Sequence, residues 1–371
     1  MQKMIFLLMT LITISCSCQK EEDTTLPGGN TVLYTMPEES ALHEGTWLQW
    51  PNQYQYGVTY RNRLDATWVS MTQELVSGEK VHIVAYNETE KNRIIGLLNT
   101  AGIPLTNINF KIYATDDVWV RDNGPIYVRD STGKLTILDW GFNGWGNKTA
   151  YANCNVVPGK IAADQNIPKI DLNNTMTLEG GSFEIDGNST FLATKSAILN
   201  NNRNPGMTQS KAEEVLTKYL GVTNFIWLDG VAGLEITDMH IDGFARFANQ
   251  STLVTMAQKD LQEWDVTQTD IDRLYASRNK NSIAYAFVKL PLTQNNVVTT
   301  YGKNLGYKGS YINYYIANKK ILVPNYNDPN DAVANNIIQN LYPGKTVVGI
   351  DVRNLYANGG MVHCVTQQQP Q

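Results

Sequence analysis

Four segments of the chain repeat apolar residues at helical spacing and are bounded by residues that begin or end helices. Thr208 and Thr267 each precede such a run, and Asp328 with a following proline precedes another. Threonine and aspartate cap helix N-termini, whereas glycine and proline interrupt helices. The pattern predicts helices over residues 89–101, 208–220, 267–275 and 328–341.

A short apolar segment of strand character follows each predicted helix, at residues 109–113, 224–228, 284–290 and 346–350. Polar motifs come after most of these strands. Trp119, Glu179, His240 and Cys364 are separated by 60, 61 and 124 residues, and the last interval is about twice the others. The position near Gly302 carries no such motif. A unit repeated at this period indicates radial or solenoid packing, which would bring the loops together. The alternative is a doubly wound sheet with its site at the strand ends.

Composition narrows the class of protein. The chain has 371 residues, a formal net charge of −5 and no run rich in lysine and arginine, which argues against a nucleic-acid partner. Its four cysteines and four histidines do not have the spacing of a zinc site, so no metal is expected. No linker composition interrupts the sequence after about Thr31. We therefore predict a single catalytic domain over residues 32–371.

The first residues have the composition of an export signal. Lys3 precedes an apolar run at residues 4–14, which is too short to span a bilayer. Residues 13–16, Thr-Ile-Ser-Cys, resemble a bacterial lipobox, so we expect a signal peptide over 1–16, lipidation at Cys16 and a polar tether over 17–31. Cys18 is the second candidate for lipidation, and secretion after cleavage nearby is the alternative. The expected location is the periplasm or cell surface, with the lipid as the only membrane contact.

Cys364 has the sequence context of a nucleophile. Gly359 and Gly360 precede it, and glycines allow a tight turn and the close approach of a substrate. Thr366 and three glutamines follow. A lone cysteine is more often a small buried apolar residue, but this polar surrounding favours a reactive thiol. Its pKa, ordinarily ~8.5, should be lowered by an imidazolium or by a bound cation.

His240 is the candidate acid and base. Asp242 follows two residues later, and in a strand both side chains would lie on one face. Asp242 would then hold the substrate or orient the imidazole. The alternative is a histidine satisfied within a turn. His363 adjoins Cys364 but would point to the opposite face of an extended segment, so we interpret it as a supporting or packing residue.

An acidic cluster at residues 116–125 reads Asp-Asp-Val-Trp-Val-Arg-Asp-Asn-Gly-Pro and precedes a predicted strand at 126–129. Paired carboxylates match the planar fork of a guanidinium, and an indole can stack on the cation. The alternative is a turn whose acids cap loops and pair with Arg121. Glu179, followed by two glycines, is a weak signal apart from its place in the period.

Taken in order, these motifs resemble the agmatine deiminase family, which also contains bacterial peptidylarginine deiminases of the porphyromonad type. The matching stretches cover nearly all of the predicted mature chain and are residues 50–51 (Trp-Pro), 116–125, 142–146 (Phe-Asn-Gly-Trp-Gly), 179–181, 240–247, 311–318 and 359–370. The set is far more specific than any one stretch.

The resemblance implies an α/β pentein fold, a five-bladed propeller of ββαβ modules, and a mechanism without a cofactor. By the family pattern, Cys364 attacks the guanidinium carbon while His240 transfers protons. Ammonia leaves, an amidino-cysteine intermediate remains, and water releases the ureido product.

The resemblance also implies roles for the remaining site residues. Asp122 and Asp242 would hold the guanidinium nitrogens, and Glu179 would support the site near His240. Trp119 would flank the bound cation. The chain departs from the family pattern at Met239, where a glycine is frequent, and at Asn358, but no chemical group of the predicted site is lost.

The predicted reaction is the hydrolysis of agmatine to N-carbamoylputrescine and ammonia, and the alternative is conversion of peptidylarginine to citrulline. The motif at residues 142–146 favours agmatine, whereas export suits an extracellular peptide substrate. Two other classes are a thiol protease or amidase, which would need an oxyanion hole, and a silent lipoprotein that binds cations. Neither makes use of the whole set of thiol, imidazole and carboxylates.

Overall fold

The structure is a computed structural model that describes residues 32–371. The predicted signal peptide, the tether at 17–31 and the candidate lipidation sites Cys16 and Cys18 lie outside the described residues.

The described chain alternates strands and helices, which gives a mixed α/β fold. The strands are β1 Tyr34–Thr35, β2 His43–Gln49, β3 Lys80–Ala85, β4 Ile108–Ile112, β5 Ile126–Asp130, β6 Leu135–Gly141, β7 Lys169–Thr177, β8 Phe183–Ile185, β9 Thr190–Thr194, β10 Asn224–Leu228, β11 Arg246–Asn249, β12 Thr252–Met256, β13 Ala286–Leu290, β14 Tyr315–Ile316, β15 Lys320–Asn325, β16 Thr346–Asp351 and β17 Gln367–Pro370. The helices are α1 Gln53–Leu75, α2 Glu88–Thr100, α3 Val120–Asn123, α4 Gly144–Asn147, α5 Val157–Gln165, α6 Lys195–Ile198, α7 Gln209–Leu220, α8 Gln258–Glu263, α9 Gln268–Tyr275, α10 Asn330–Leu341 and α11 Arg353–Tyr356.

Within residues 32–371 the strands form five separate sheets of three or four strands, ordered β17-β2-β3-β4, β1-β5-β6-β7, β10-β9-β8, β11-β12-β13 and β14-β15-β16. Every sheet contains an antiparallel pair followed, after a helix, by a parallel strand. The C-terminal strand β17 completes the first sheet by pairing antiparallel with β2. The alternative of one doubly wound sheet is therefore wrong.

The predicted helices and the strands that follow them are confirmed. The side chain of Thr208 accepts a hydrogen bond from Lys211 N at the start of α7, and Gly221 ends that helix at a φ of 75°. Thr267 caps α9 in the same way. These ends are set by local hydrogen bonds and by the backbone freedom of glycine, so local sequence is enough to predict them.

The longest helix, α1, is absent from the sequence-based prediction. Its first turns contain Gly57 at a φ of 67°, which interrupts the helical backbone. Further along, Leu64, Trp68, Met71 and Leu75 are buried at alternating spacings of four and three residues. That spacing places the four side chains on one face of the helix, and it is the sequence pattern from which α1 could have been predicted. In the described part of the chain, no helix combines the length and the apolar character needed to cross a membrane.

The repeated sheet pattern determines where the functional side chains meet. In each of the five sheets, the segment just before the first strand of the antiparallel pair carries a polar residue of interest. In chain order of these segments, the residues are Asp122 before β5, Glu179 before β8, His240 and Asp242 before β11, Asn313 before β14 and Cys364 before β17. The period of about 61 residues placed the fifth functional residue near Gly302. In the structure this residue is Asn313, because the loop between β13 and β14 is longer than a regular repeat would give.

Candidate active site

Cys364 lies in a short 3-10 turn at His363–Val365, immediately before β17. The predicted extended conformation of this segment is wrong, but the turn still separates the two side chains. The Sγ atom receives a hydrogen bond from Asn313 Nδ2 at 3.3 Å and lies 3.8 Å from Asp242 Oδ2. Asn313 also accepts a hydrogen bond from the backbone N–H of His363 at 2.9 Å. One amide therefore positions both the thiol and the turn that bears it.

The surroundings of Cys364 favour the protonated thiol over the thiolate. Burial and the nearby carboxylates of Asp242 and Asp122 raise its pKa well above the usual value for cysteine. The pKa is therefore shifted in the direction opposite to the lowering by an imidazolium that the sequence suggested. A cation bound between the thiol and these two carboxylates would offset both effects, because it favours the thiolate by direct attraction.

His240 is buried and held between two acids. Its Nε2 lies 2.8 Å from Glu179 Oε2, and its Nδ1 lies 3.7 Å from Asp122 Oδ1. Burial alone would lower its pKa, but Asp122, Glu179 and Asp242 together raise the pKa of His240 to about 9. The ring is consequently an imidazolium at neutral pH and can donate a proton.

The segment around His240 is not a strand. Residues Ile241–Gly243 form a 3-10 turn, which corrects the sequence-based prediction. His240 and Asp242 nevertheless line the same cavity, because the turn brings both side chains to one side. Their convergence was predicted correctly from the wrong local geometry.

Glu179 is fixed by a buried arginine. Arg203 Nε donates to Glu179 Oε1 at 2.8 Å, and another nitrogen of the same guanidinium pairs with Asp238. The Arg203 side chain is buried. This bridge orients the carboxylate that holds His240.

Asp122 lies in the short helix α3, not in the loop expected from the sequence. Its Oδ2 accepts a hydrogen bond from Trp145 Nε1 at 3.0 Å, and its Oδ1 accepts one from Gly181 N at 3.1 Å. Burial, opposed by the positive charge of His240 and assisted by the other acids, raises the pKa of Asp122 to about 6. The carboxyl is therefore close to its titration range at neutral pH.

Asp242 is held by the histidine that adjoins the thiol. His363 Nδ1 lies 2.8 Å from Asp242 Oδ2. Burial would raise the pKa of Asp242, but the hydrogen bond and positive charge of His363 lower it. Among residues 32–371, no side chain donates a hydrogen bond to the other oxygen, Oδ1. That oxygen is available to a ligand.

Gly181 marks the point at which the polar groups converge. A β-carbon at this position would lie 2.8 Å from Asp122 Oδ1, 2.8 Å from His240 Nδ1 and 3.0 Å from Asp242 Oδ2. Any side chain there would displace all three. The Gly-Gly pair after Glu179 is thus required by the close approach of the site residues.

Trp119 lies at the edge of this group. A β-carbon on Gly360 would be 2.2 Å from Cζ3 of its ring, so the indole lies directly against that glycine. The ring is buried and is not among the residues that line the cavity. Its predicted stacking on a cation stays a prediction.

The other two acids of the cluster are structural. Asp116 accepts hydrogen bonds from the backbone of Asn153 and Cys154, and Asp117 accepts one from Val118 N. They cap loops, as the alternative interpretation held. Arg121 pairs instead with Glu39, which is a correction to that interpretation.

The thiol opens onto a cavity of about 620 Å³. Its inner wall includes His240, Asp242, Asn313 and Cys364. Glu179 contacts the ring of His240, and Asp122 approaches the same point at Gly181 as Asp242. The outer lining residues that carry charge are Glu235, Glu263, Asp265 and Lys308. Lys308 is paired with Glu263 at 2.9 Å, so the net charge of the lining is negative.

Sequence reasoning did not assign Asn313, Trp145, Arg203 or Glu39 to the site, although the structure places each one against a predicted site residue or against His363. Asn313 and Trp145 lie inside the stretches that resemble the family, and this resemblance could have marked them as candidate site residues. Arg203 and Glu39 have no local sequence feature that marks them. Within the described residues, no set of three or more His, Cys, Asp or Glu is arranged to hold a metal ion.

A partly buried thiol, an imidazolium and two carboxylates, brought together from segments that precede antiparallel strand pairs in different sheets, are the groups of a cysteine-dependent hydrolase of guanidine groups. A family model described as Porphyromonas-type peptidyl-arginine deiminase matches residues 35–370. The chain belongs to this family.

Named relatives extend the comparison. The chain is 30% identical over 358 residues to the agmatine deiminase of Pseudomonas aeruginosa strain LESB58, covering 91% of this chain and 95% of that protein. It is also 30% identical to the agmatine deiminase of Stutzerimonas stutzeri strain A1501 over 357 residues, with the same coverage. The solved structure of the agmatine deiminase of Enterococcus faecalis superposes with a TM-score of 0.79 at 26% identity, covering 91% of this chain and 96% of that one.

Proposed function

We propose that the chain hydrolyses agmatine to N-carbamoylputrescine and ammonia through an amidino-cysteine intermediate on Cys364. The observation that carries this proposal is the convergence of His240, Asp122 and Asp242 around Gly181, next to the thiol. The agmatine deiminase activity named for relatives at 30% identity over 91% of the chain supports it.

Binding comes first in the proposed mechanism. The guanidinium carries one positive charge, and it lies between Asp122 and the open Oδ1 of Asp242. The bound cation neutralises the carboxylates that raise the pKa of Cys364, and the thiol then loses its proton to solvent. Substrate binding and activation of the nucleophile are therefore coupled.

Attack and departure of ammonia follow. The Cys364 thiolate forms a bond to the guanidinium carbon, which gives a neutral tetrahedral adduct. The His240 imidazolium donates its proton to one terminal nitrogen, the C–N bond breaks and ammonia leaves. A cationic amidino-cysteine and a neutral imidazole remain.

Hydrolysis restores the enzyme. Water adds to the amidino carbon while His240 accepts its proton, and the C–S bond then breaks to return the thiolate. The ureido product loses its hydroxyl proton to solvent, where ammonia takes it up. One guanidinium and one water thus give one urea and one ammonium ion.

The charge of the cavity favours agmatine as the substrate. Its lining contains four carboxylates, Glu235, Asp242, Glu263 and Asp265, and one lysine, which is already paired. A substrate with a second cation at its far end is attracted by such a wall. Arg246 is buried against Glu184 and does not line the cavity, so it is not placed to meet the carboxylate of a peptide substrate there.

We also propose that the five ββαβ sheets are the blades of a closed pentein propeller. Two observations support closure. The antiparallel-then-parallel pattern recurs in every sheet, and the last strand of the chain, β17, pairs with β2 of the first sheet.

Export and lipid anchoring remain proposals that rest on the residues before 32. Replacing Cys16 with serine is expected to abolish incorporation of radiolabelled palmitate and to release the chain from the membrane fraction. Replacement of Cys18 is the matched control and should leave both unchanged. Label retained in the Cys16 variant but lost in the Cys18 variant would reassign the lipidation site.

The decisive experiment measures ammonia and ureido product from agmatine, free arginine and a capped arginine peptide side by side. The full-length chain in mild detergent is used, with Cys364→Ala as the control. Turnover of agmatine that is lost in the variant supports the proposal. Preferential turnover of the capped peptide would establish protein citrullination instead, and silence on all three would overturn guanidine deimination.

A further inference from the structure

A buried series of hydrogen bonds joins Glu39, His363 and Asp242. His363 Nε2 lies 2.7 Å from Glu39 Oε2, and His363 Nδ1 lies 2.8 Å from Asp242 Oδ2. The side chains of Glu39, His363 and Asp242 are 10%, 2% and 3% exposed. The carboxylate of Glu39 is thus connected, through the imidazole of His363, to the carboxylate of Asp242 beside the thiol.

The two contacts require a particular form of the ring. A neutral imidazole has one N–H and can donate to one carboxylate, whereas an imidazolium donates from both nitrogens. Two ionised carboxylates at 2.7 and 2.8 Å are therefore satisfied only by the doubly protonated ring.

Glu39 is held rigidly for this contact. Its Oε1 accepts a hydrogen bond from the backbone of Ile316 at 2.8 Å, and its Oε2 is also approached by Arg246 at 3.0 Å and Arg121 at 3.2 Å. Burial would raise the pKa of Glu39, but Arg246 and His363 hold it well below its usual range. The carboxylate stays ionised although it is buried.

We propose that Glu39 is a positioning residue that acts through His363 on Asp242. By holding His363 as an imidazolium, it directs the Nδ1–H to Asp242 Oδ2 and leaves Oδ1 turned toward the substrate guanidinium. This inference rests on the proposed deimination and adds to it a second histidine whose role is to orient and charge the substrate-binding carboxylate.

The charged groups around the hydrogen bonds that join Glu39, His363 and Asp242 come from several elements of the fold. Asp242 faces His240 and Asp122 as well as His363 and the thiol, and Arg246 brings Glu184 to the outer end. The titratable and charged groups that any pH measurement must consider are Glu39, Arg121, Asp122, Glu179, Glu184, His240, Asp242, Arg246, His363 and Cys364.

The kinetic test uses Glu39→Gln in the full-length chain with agmatine as the substrate. The amide still fills the space and can accept one hydrogen bond, but it no longer favours the imidazolium. We expect kcat/KM to fall about tenfold or more, mainly through KM, because Asp242 loses its orientation and part of its charge. The acid limb of kcat/KM, which the titration of Asp122 begins, should become steeper, since the pKa of Asp242 rises when His363 is less charged.

Glu44→Gln is the matched control. Glu44 makes the same carboxylate–imidazole contact with His82 at 2.7 Å, in the first sheet and outside the site. Its replacement should leave KM and the acid limb unchanged. If Glu39→Gln lowers only the melting temperature and leaves KM and the pH profile at wild-type values, Glu39 is structural and the proposal is wrong.

A measurement on the unmodified chain covers the case in which Glu39→Gln does not fold. The protein contains four histidines, so ring nitrogen-15 spectra of the histidine-labelled chain are simple, and His363→Gln assigns the His363 signal. Two protonated nitrogens at neutral pH are expected. An unprotonated Nε2 would overturn the proposal, whether or not any guanidine is turned over.

Discussion

At the scale of the residue, the site depends on charges whose pKa values are moved in opposite directions by their neighbours. Asp122 titrates at about 6 and His240 at about 9, whereas Asp242 is kept ionised by His363. The resting enzyme is ready to bind a cation and to donate a proton, but its thiol is protonated. Activity should therefore fall at low pH, where Asp122 loses its negative charge, and at high pH, where His240 loses its proton.

The first prediction concerns the pH profile. Catalysis needs ionised Asp122 and protonated His240, so kcat/KM should fall below about pH 6 and again above about pH 9. Glu179→Gln removes one of the groups that raise the pKa of His240, and the alkaline limb should then move to lower pH. Glu184→Gln, a buried carboxylate without contact to His240, should leave that limb in place.

The second prediction concerns Gly181. Gly181→Ala places a β-carbon within 3.0 Å of Asp122, His240 and Asp242, which must all shift. We expect a loss of kcat of about 100-fold, because small displacements of reacting groups cost that much. Gly96→Ala in α2 is the control, since a β-carbon there meets no atom within 4 Å. Its activity should be unchanged and its stability higher by up to ~1 kcal/mol. Wild-type activity in Gly181→Ala would show that these three side chains need not converge.

At the scale of the element, β17 connects the nucleophile to two sheets. It begins three residues after Cys364 and pairs with β2. The side chain of Gln369 accepts hydrogen bonds from Trp47 Nε1 at 3.0 Å and Tyr127 OH at 3.2 Å. The glutamines that follow the cysteine are thus buried structural residues, which explains why polar side chains occupy the end of the chain.

The third prediction tests this connection. Gln369→Leu removes the acceptor that the Tyr127 phenol and the Trp47 indole share, and the indole then donates only to Tyr127 OH, which itself has lost its acceptor. The loss should lower the free energy of unfolding by ~1–3 kcal/mol. Urea denaturation followed by fluorescence measures the change. The exposed Gln371 supplies the control, and its replacement by leucine should have little effect. Equal stabilities for the two variants would mean that Gln369 does not hold β17 in place.

At the scale of the whole molecule, residues distant in sequence form one site because each sheet contributes the segment before its antiparallel pair. The charges gathered there include Asp122, Glu179 and Asp242, compensated in part by His240. An empty site of this kind is electrostatically unfavourable, and a bound cation should stabilise the entire fold.

The fourth prediction follows from this linkage. In Cys364→Ala, agmatine should raise the melting temperature in proportion to the logarithm of its concentration, reaching about 2.7 kcal/mol of stabilisation at 100 times the Kd. Putrescine, which lacks the guanidinium, should stabilise much less at equal ionic strength. Equal shifts from both ligands would indicate binding by charge alone, without recognition of the guanidinium.

The sequence by itself determined the features that depend on local interactions and on residue chemistry. Helix α7 was predicted from Thr208 and Gly221 because caps and left-handed glycines act within a few residues. The list of chemical groups, a thiol at Cys364 and an imidazole at His240 with nearby acids, was readable from motifs. The longer loop before Asn313 concealed the fifth member of the period, since a fixed spacing cannot anticipate an insertion.

Only the tertiary structure decided which of these groups touch and in what state of charge. Glu39 reaches His363 across 324 positions of sequence, and Arg203 orients Glu179 from a segment with no motif. Such contacts arise from the packing of separate sheets, which no local pattern encodes. The pKa values follow from the same packing, because burial and the distance to each neighbouring charge exist only once the chain is folded.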